Sequence, residues 1–173
     1  MIKFLKKTES FIKIILLNLI FLLPIGALAE IDDKKWSKLC NKKGSNDNCV
    51  ITIKKNITDG QSTTLIQLST ASLMLTPNQA HPSLLVVSLP LGADLQMLPL
   101  IQIDETNIGN LTFVTCKTDS KCIANLGILN NGLELFKKGK ILSVYFRSYG
   151  QLNNFIIEFP LKNFTKSYNS LIK

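Results

Sequence analysis

Four cysteines constrain this chain more than any other feature. Cys40, Cys49, Cys116 and Cys122 form a C-x8-C pair and a C-x5-C pair, with 66 residues between the two pairs. Their meaning depends on where the chain folds, because thiols stay reduced in the cytosol and pair outside it. The first thirty residues address that question. Lys3, Lys6, Lys7 and Lys13 stand against one acid, Glu9, and residues 14–29 (IILLNLIFLLPIGALA) carry no charge. The run closes on Ala27-Leu28-Ala29, followed by the charged EIDDKK from Glu30. A basic start, a short apolar run and an A-x-A ending are the parts of a secretory signal. Cleavage is expected between Ala29 and Glu30, where small side chains fit the peptidase pockets. A membrane anchor is the rival reading. Residues 14–29 would span about 24 Å as a helix, short of the ~30 Å bilayer core, and Pro24 and Gly26 weaken the last turns. No Cys adjoins the cleavage point to take a lipid.

An even number of cysteines in an exported chain points to two disulfides. Three pairings are possible. Loop entropy would give the local bridges, Cys40–Cys49 and Cys116–Cys122, roughly 2–3 kcal/mol each, and a long-range bridge more. Entropy therefore does not choose between them. Proximity favours the local pairing, since each pair flanks a polar stretch, NKKGSNDN or KTDSK. A zinc site would want C-x2-C spacing or several His, and a redox pair C-x-x-C; the sequence offers neither. No metal or cofactor is expected.

Loss of residues 1–29 removes four Lys and one Glu. The 20 basic and 12 acidic side chains of the whole chain become 16 and 11, so the net charge falls from +8 to +5. Only one basic side chain, Arg147, is an Arg. Lys makes point contacts where Arg clamps phosphate with two bonds, so nucleic acid is not an expected partner.

Past Cys49 the chain alternates short apolar segments with turns. VITIKK (50–55) and TLIQLS (64–69) alternate in side-chain polarity. Residues 73–83, with Pro77 and Pro82, read as irregular. LLVVSLPLG (84–92) is a continuous apolar run, the mark of a strand buried on both sides. PLIQID (99–104), a turn ETNIGN (105–110), LTFVTC (111–116) and CIANLGI (122–128) follow. NNGLELFKKG (130–139) predicts a short helix stopped by Gly139. Residues 141–150 and 154–160 predict two strands, and Phe164, Tyr168 and Leu171 mark a closing amphipathic helix. About eight strands near ten-residue spacing predict an antiparallel sandwich or barrel, one domain over residues 30–173.

Individual residues carry weaker signals. His81, the only His, sits in NQAHPS without nucleophile context, so catalysis is not expected. Asp104 and Glu105 are adjacent and badly placed to share a proton; Asp104 reads as a turn residue accepting backbone N–H bonds. Trp36 reads as packing beside the first disulfide. Lys pairs at 34–35, 42–43, 54–55 and 137–138 read as solvated positions that protect sheet edges, or as a patch for anionic lipid or host polyanions. Tyr145, Phe146, Tyr149 and Phe155 fall in the last hairpin, and alternation sends some of them outward.

The ordered set Trp36-x3-Cys40, Cys49, SLPLG (88–92), IQID (101–104), Phe113-x2-Cys116, Cys122-x-Ala124 and PLKNFTKSYNSL (160–171) resembles the invasion-associated locus B family of Gram-negative bacteria. The resemblance runs from Trp36 to about Leu171. It implies an immunoglobulin-like antiparallel β-sandwich with one or two short helices, exported to the periplasm, the outer membrane or beyond. In some members it implies a part in host-cell entry. It implies no catalytic mechanism. Three positions depart from the family pattern: Lys121, Leu98 and Asn163 stand where Gly is usual. The expected role is a non-enzymatic envelope protein that meets an envelope or host-surface protein, with membrane contact peripheral after cleavage. A periplasmic small-ligand carrier is the alternative, and a hydrolase a more distant one.

Overall fold

Alternating apolar residues commit most of this chain to strands whose one face must be covered, and two sheets cover each other. The computed structural model describes residues 34–43, 46–58, 66–76, 82–116, 121–150 and 154–172. The chain divides into two compact units, Met1–Glu30 and Ile31–Lys173, and every described residue belongs to the second. The export residues Ala27, Ala29 and Glu30, and also His81, lie outside the described residues.

Ten strands and two helices are described. In chain order they are β1 (Ser37–Lys43), β2 (Asn46–Thr58), β3 (Ile66–Leu75), β4 (Ser83–Leu89), β5 (Leu100–Ile103), β6 (Thr106–Asn110), β7 (Thr112–Cys116) and β8 (Cys122–Ile128). Helix α1 (Asn130–Lys138), β9 (Ile141–Arg147), β10 (Asn154–Pro160) and α2 (Phe164–Ile172) complete the set. All pairings are antiparallel: one sheet runs β1-β2-β3-β4-β8-β7, the other β10-β9-β5-β6. Inward residues Ile51, Ile53, Leu73, Leu85, Ile101 and Val144 are fully buried. This is the expected mainly β sandwich, with two short helices.

Three local readings change. The polar stretch after Cys40 is not all turn: Asn41, Lys42 and Lys43 pair with Asn48, Asp47 and Asn46, adding β1. Neighbouring strands joined at Cys40–Cys49 let polar residues take up ladder bonds that their own propensity does not favour. Residues 73–75, read as irregular, continue β3 as far as Leu75 because Leu73, Met74 and Leu75 pair with Leu85, Leu84 and Ser83 of β4. The segment read as a turn at 105–110 is mostly β6. The turn itself is Asp104-Glu105, both left-handed (φ 45° and 72°), as a two-residue hairpin demands.

The two disulfides join Cys40 to Cys49 and Cys116 to Cys122. Each links residues directly opposite in register, with Cα atoms 4.0 Å apart. In β4 the continuous apolar run has no exposed residue, and Leu85, Val87 and Leu89 point into the core.

An aromatic cluster closes the sandwich beside the helices. Phe164 of α2 stands edge-on to Trp36 with ring centroids 5.1 Å apart. It also meets Phe136 of α1 at 5.2 Å and stacks on Tyr168 at 6.0 Å. Trp36 donates from Nε1 to the Pro160 carbonyl (3.0 Å), and Ser167 Oγ donates to the Trp36 carbonyl (2.8 Å). Trp36 is thus a packing residue whose ring partner is the C-terminal helix. Gly139 ends α1 in an extended, not left-handed, conformation. Glycine is needed there for closeness: a Cβ would run into Ile103 and lie 2.8 Å from the Leu135 carbonyl oxygen.

Candidate functional site

The connection from β4 to β5, residues 90–99, contains the SLPLG ending and the apolar sequence after it. Pro90 cannot donate a ladder hydrogen bond, so the strand stops there. Gly92 then turns the chain at φ +90°, a conformation side chains resist. Its carbonyl accepts Tyr149 N–H (2.7 Å) and Ser148 Oγ–H (3.1 Å). Ala93 bridges Ser148, and Asp94 N–H donates to the Arg147 carbonyl at 2.7 Å. The loop is thereby laid along the end of β9.

Asp94 is the brace of this arrangement. Its side chain is 8% exposed, and Oδ2 accepts from Arg147 Nη2 (2.7 Å) and Nε (3.1 Å). Oδ1 accepts the backbone N–H of Gln96 at 3.0 Å. Both carboxylate oxygens are therefore satisfied. The Arg147 hydrogen bond, aided by the Gln96 amide, holds the Asp94 carboxyl below the ordinary carboxylate range despite burial. Further along, Asn110 Nδ2 donates to the Leu98 carbonyl (3.4 Å) and Leu111 N–H to that of Pro99 (2.8 Å).

What the brace holds outward is apolar. Leu91, Leu95, Met97 and Leu98 are all exposed, Leu95 to 55%, and Tyr149 beside them to 78%. On the outer face of the smaller sheet Leu100, Tyr145 and Ile156 sit in one cross-strand row. Residues directly opposite on antiparallel strands share a face, and this row begins at Leu100, where the loop enters β5. Phe155 stacks on the buried Phe146 at 5.6 Å and remains part exposed.

The residues singled out in sequence take other places. Asp104 accepts Lys140 N–H (2.8 Å) and Ile141 N–H (2.9 Å), tying the β5–β6 turn to the start of β9. It makes no acid pair with Glu105, which is exposed. Lys137 bonds Glu134 at 2.8 Å and lies over the Tyr168 ring. Lys138 and Lys55 face solvent, and Lys54 is half-buried. Among the described residues no group of three His, Cys, Asp or Glu side chains could hold a metal ion. Nor is any described helix long and apolar enough to cross a membrane.

Residue spacing along the chain does not reveal the Asp94–Arg147 brace. Its signal was present as the only acid in residues 60–103 and the only Arg of the chain, 53 positions apart.

A family model described as Invasion associated locus B (IalB) protein matches residues 36–172. The chain belongs to this family. Solved structures similar to it include the crystal structure of invasion associated protein b from Bartonella henselae, at 18% identity and a TM-score of 0.63. The match covers 79% of this chain and 90% of that one, and at such identity it speaks to the fold. No curated protein matches the chain. Among the departures from the invasion-associated locus B pattern, Asn163 has a plain reason. It lies at φ +65° just before α2, and Asn is the side chain that best replaces Gly in the left-handed region.

Replacing Asp94 with Asn is expected to destabilise the protein at neutral pH, because Arg147 then loses its counter-charge. The wild-type Asp94 has a depressed folded-state pKa, so its stabilisation is complete above the unfolded-state value of about 3.9. It disappears as pH falls through the folded-state value. Urea midpoints of the two proteins should therefore differ most at neutrality and converge in acid.

Proposed function

We propose that the mature protein is an exported cell-envelope component that acts by presenting a surface, without chemistry of its own. It would do so in the periplasm, at the outer membrane or at the host interface. The observation that carries this reading is the loop of residues 91–98. A half-buried ion pair and six further hydrogen bonds hold it, yet its large side chains face solvent. Burying Leu, Met and Tyr would release roughly 25 cal/mol per Å2 of apolar area; a braced loop that forgoes this is built for contact. Family membership and the signal-like N-terminus point the same way. The carrier and hydrolase alternatives have no observation of their own in their favour.

Two experiments test the reading. Edman sequencing of the protein from the envelope fraction should begin at Glu30, and an intact Met1 in the membrane fraction would refute cleavage. Affinity capture from envelope extract and from host-cell membranes should recover a component that is lost with the Leu95→Ser/Met97→Ser/Leu98→Ser variant. Equal recovery by both proteins would move the contact away from this loop.

A further inference from the structure

We infer that the end of the sandwich carrying the 91–98 loop docks on an anionic lipid surface. This rests on the reading above and names the class of partner for that site. The topology concentrates exposed apolar groups at one end. Residues 90–99 leave β4 and enter β5 there, Tyr149 follows β9 there, and Ile156 lies in the first half of β10 on the outer face of the smaller sheet. Exposed apolar side chains from three separate segments are thus gathered at one end of the sandwich.

Charge decides between a lipid and an apolar protein partner. Lys54 is level with Thr70, Ser88 and Ile123 in one row across the larger sheet, one residue from the end of β4. Lys55 is exposed beyond it. Lys121 precedes Cys122, which pairs with Leu89 immediately before the loop. The described carboxylate within the loop, Asp94, is neutralised by Arg147. Asp104, Glu105 and Glu134 lie at the opposite end, and Glu158 lies beyond Ile156 on the far side from the loop. An apolar rim of Leu and Met with a solvent-facing Tyr, flanked by Lys, is the amphipathic arrangement of a bilayer interface. The aliphatic groups enter the headgroup boundary, the Tyr sits at its level, and each Lys meets an anionic headgroup. A protein groove would have to match this particular rim, whereas a bilayer accepts any apolar group that reaches it.

The test uses protein purified from the envelope of cells making the full chain, floated with vesicles. It should bind phosphatidylethanolamine–phosphatidylglycerol vesicles and be released in part by raised salt, with weaker binding to phosphatidylcholine. The Leu95→Glu/Met97→Glu variant, altered only at exposed positions, should partition about ten-fold less or worse. Lys54→Gln, Lys55→Gln and Lys121→Gln should each weaken binding to the anionic vesicles by about five-fold. Wild-type protein that stays off the vesicles overturns the inference, as does a Glu variant that binds equally. Loss of self-association in the Glu variant, without vesicle binding, would instead make the rim a contact between two copies. Capture of a protein without vesicle binding would make it a protein-docking site. Any of these would leave the export reading standing, since N-terminal sequencing decides that separately.

Discussion

Phe164→Ala is expected to lower the free energy of unfolding by about 3–5 kcal/mol, the usual cost of deleting a buried aromatic ring. Phe164 is 1% exposed and touches three other rings, Trp36, Phe136 and Tyr168. Those rings belong to the segment before β1, to α1 and to α2, and the backbone cannot close on the cavity without moving all three. A urea titration should show the midpoint falling with an unchanged slope. Phe155→Ala provides the contrast. Phe155 is 39% exposed with one ring partner, so its truncation should cost less than half as much. Equal losses would mean that α2 does not close the core as described.

Removal of both disulfides should have an effect of similar size. With Cys40 and Cys49 nine residues apart and Cys116 and Cys122 six apart, the loop-entropy model assigns roughly 2–3 kcal/mol to each bridge. Together that is about 5 kcal/mol, much of the 5–15 kcal/mol typical of a domain. The quadruple Cys→Ser protein should therefore be largely unfolded or protease-sensitive at 37 °C, while either single-bridge variant stays folded. Non-reducing peptide mapping of the native protein should yield the two local cross-linked pairs. A free thiol at any of the four positions would remove the basis of the prediction.

The two helices, the class of fold and most strands could be read from side-chain order, because periodicity is a local property. Leu133 and Phe136, then Phe164 and Tyr168, recur at helical spacing, and both helices lie where that spacing puts them. Strands β1 and β6 could not be read so. TNIGN and NKK have turn-forming composition, and only a neighbour offering ladder bonds makes them strands. The same limit hid the site. Nothing local to residues 91–98 says that so apolar a loop stays outside the core.

The sequence by itself determined that this chain is a stapled, mainly β domain of the invasion-associated locus B family. It could do so because cysteine spacing, alternation and an ordered motif set are written along the chain. Only the tertiary structure decided that Asp94 meets Arg147 across 53 residues and that the apolar 91–98 loop lies against the end of β9. A carboxylate finds its guanidinium through the packing of two sheets, and no spacing along the chain encodes that meeting.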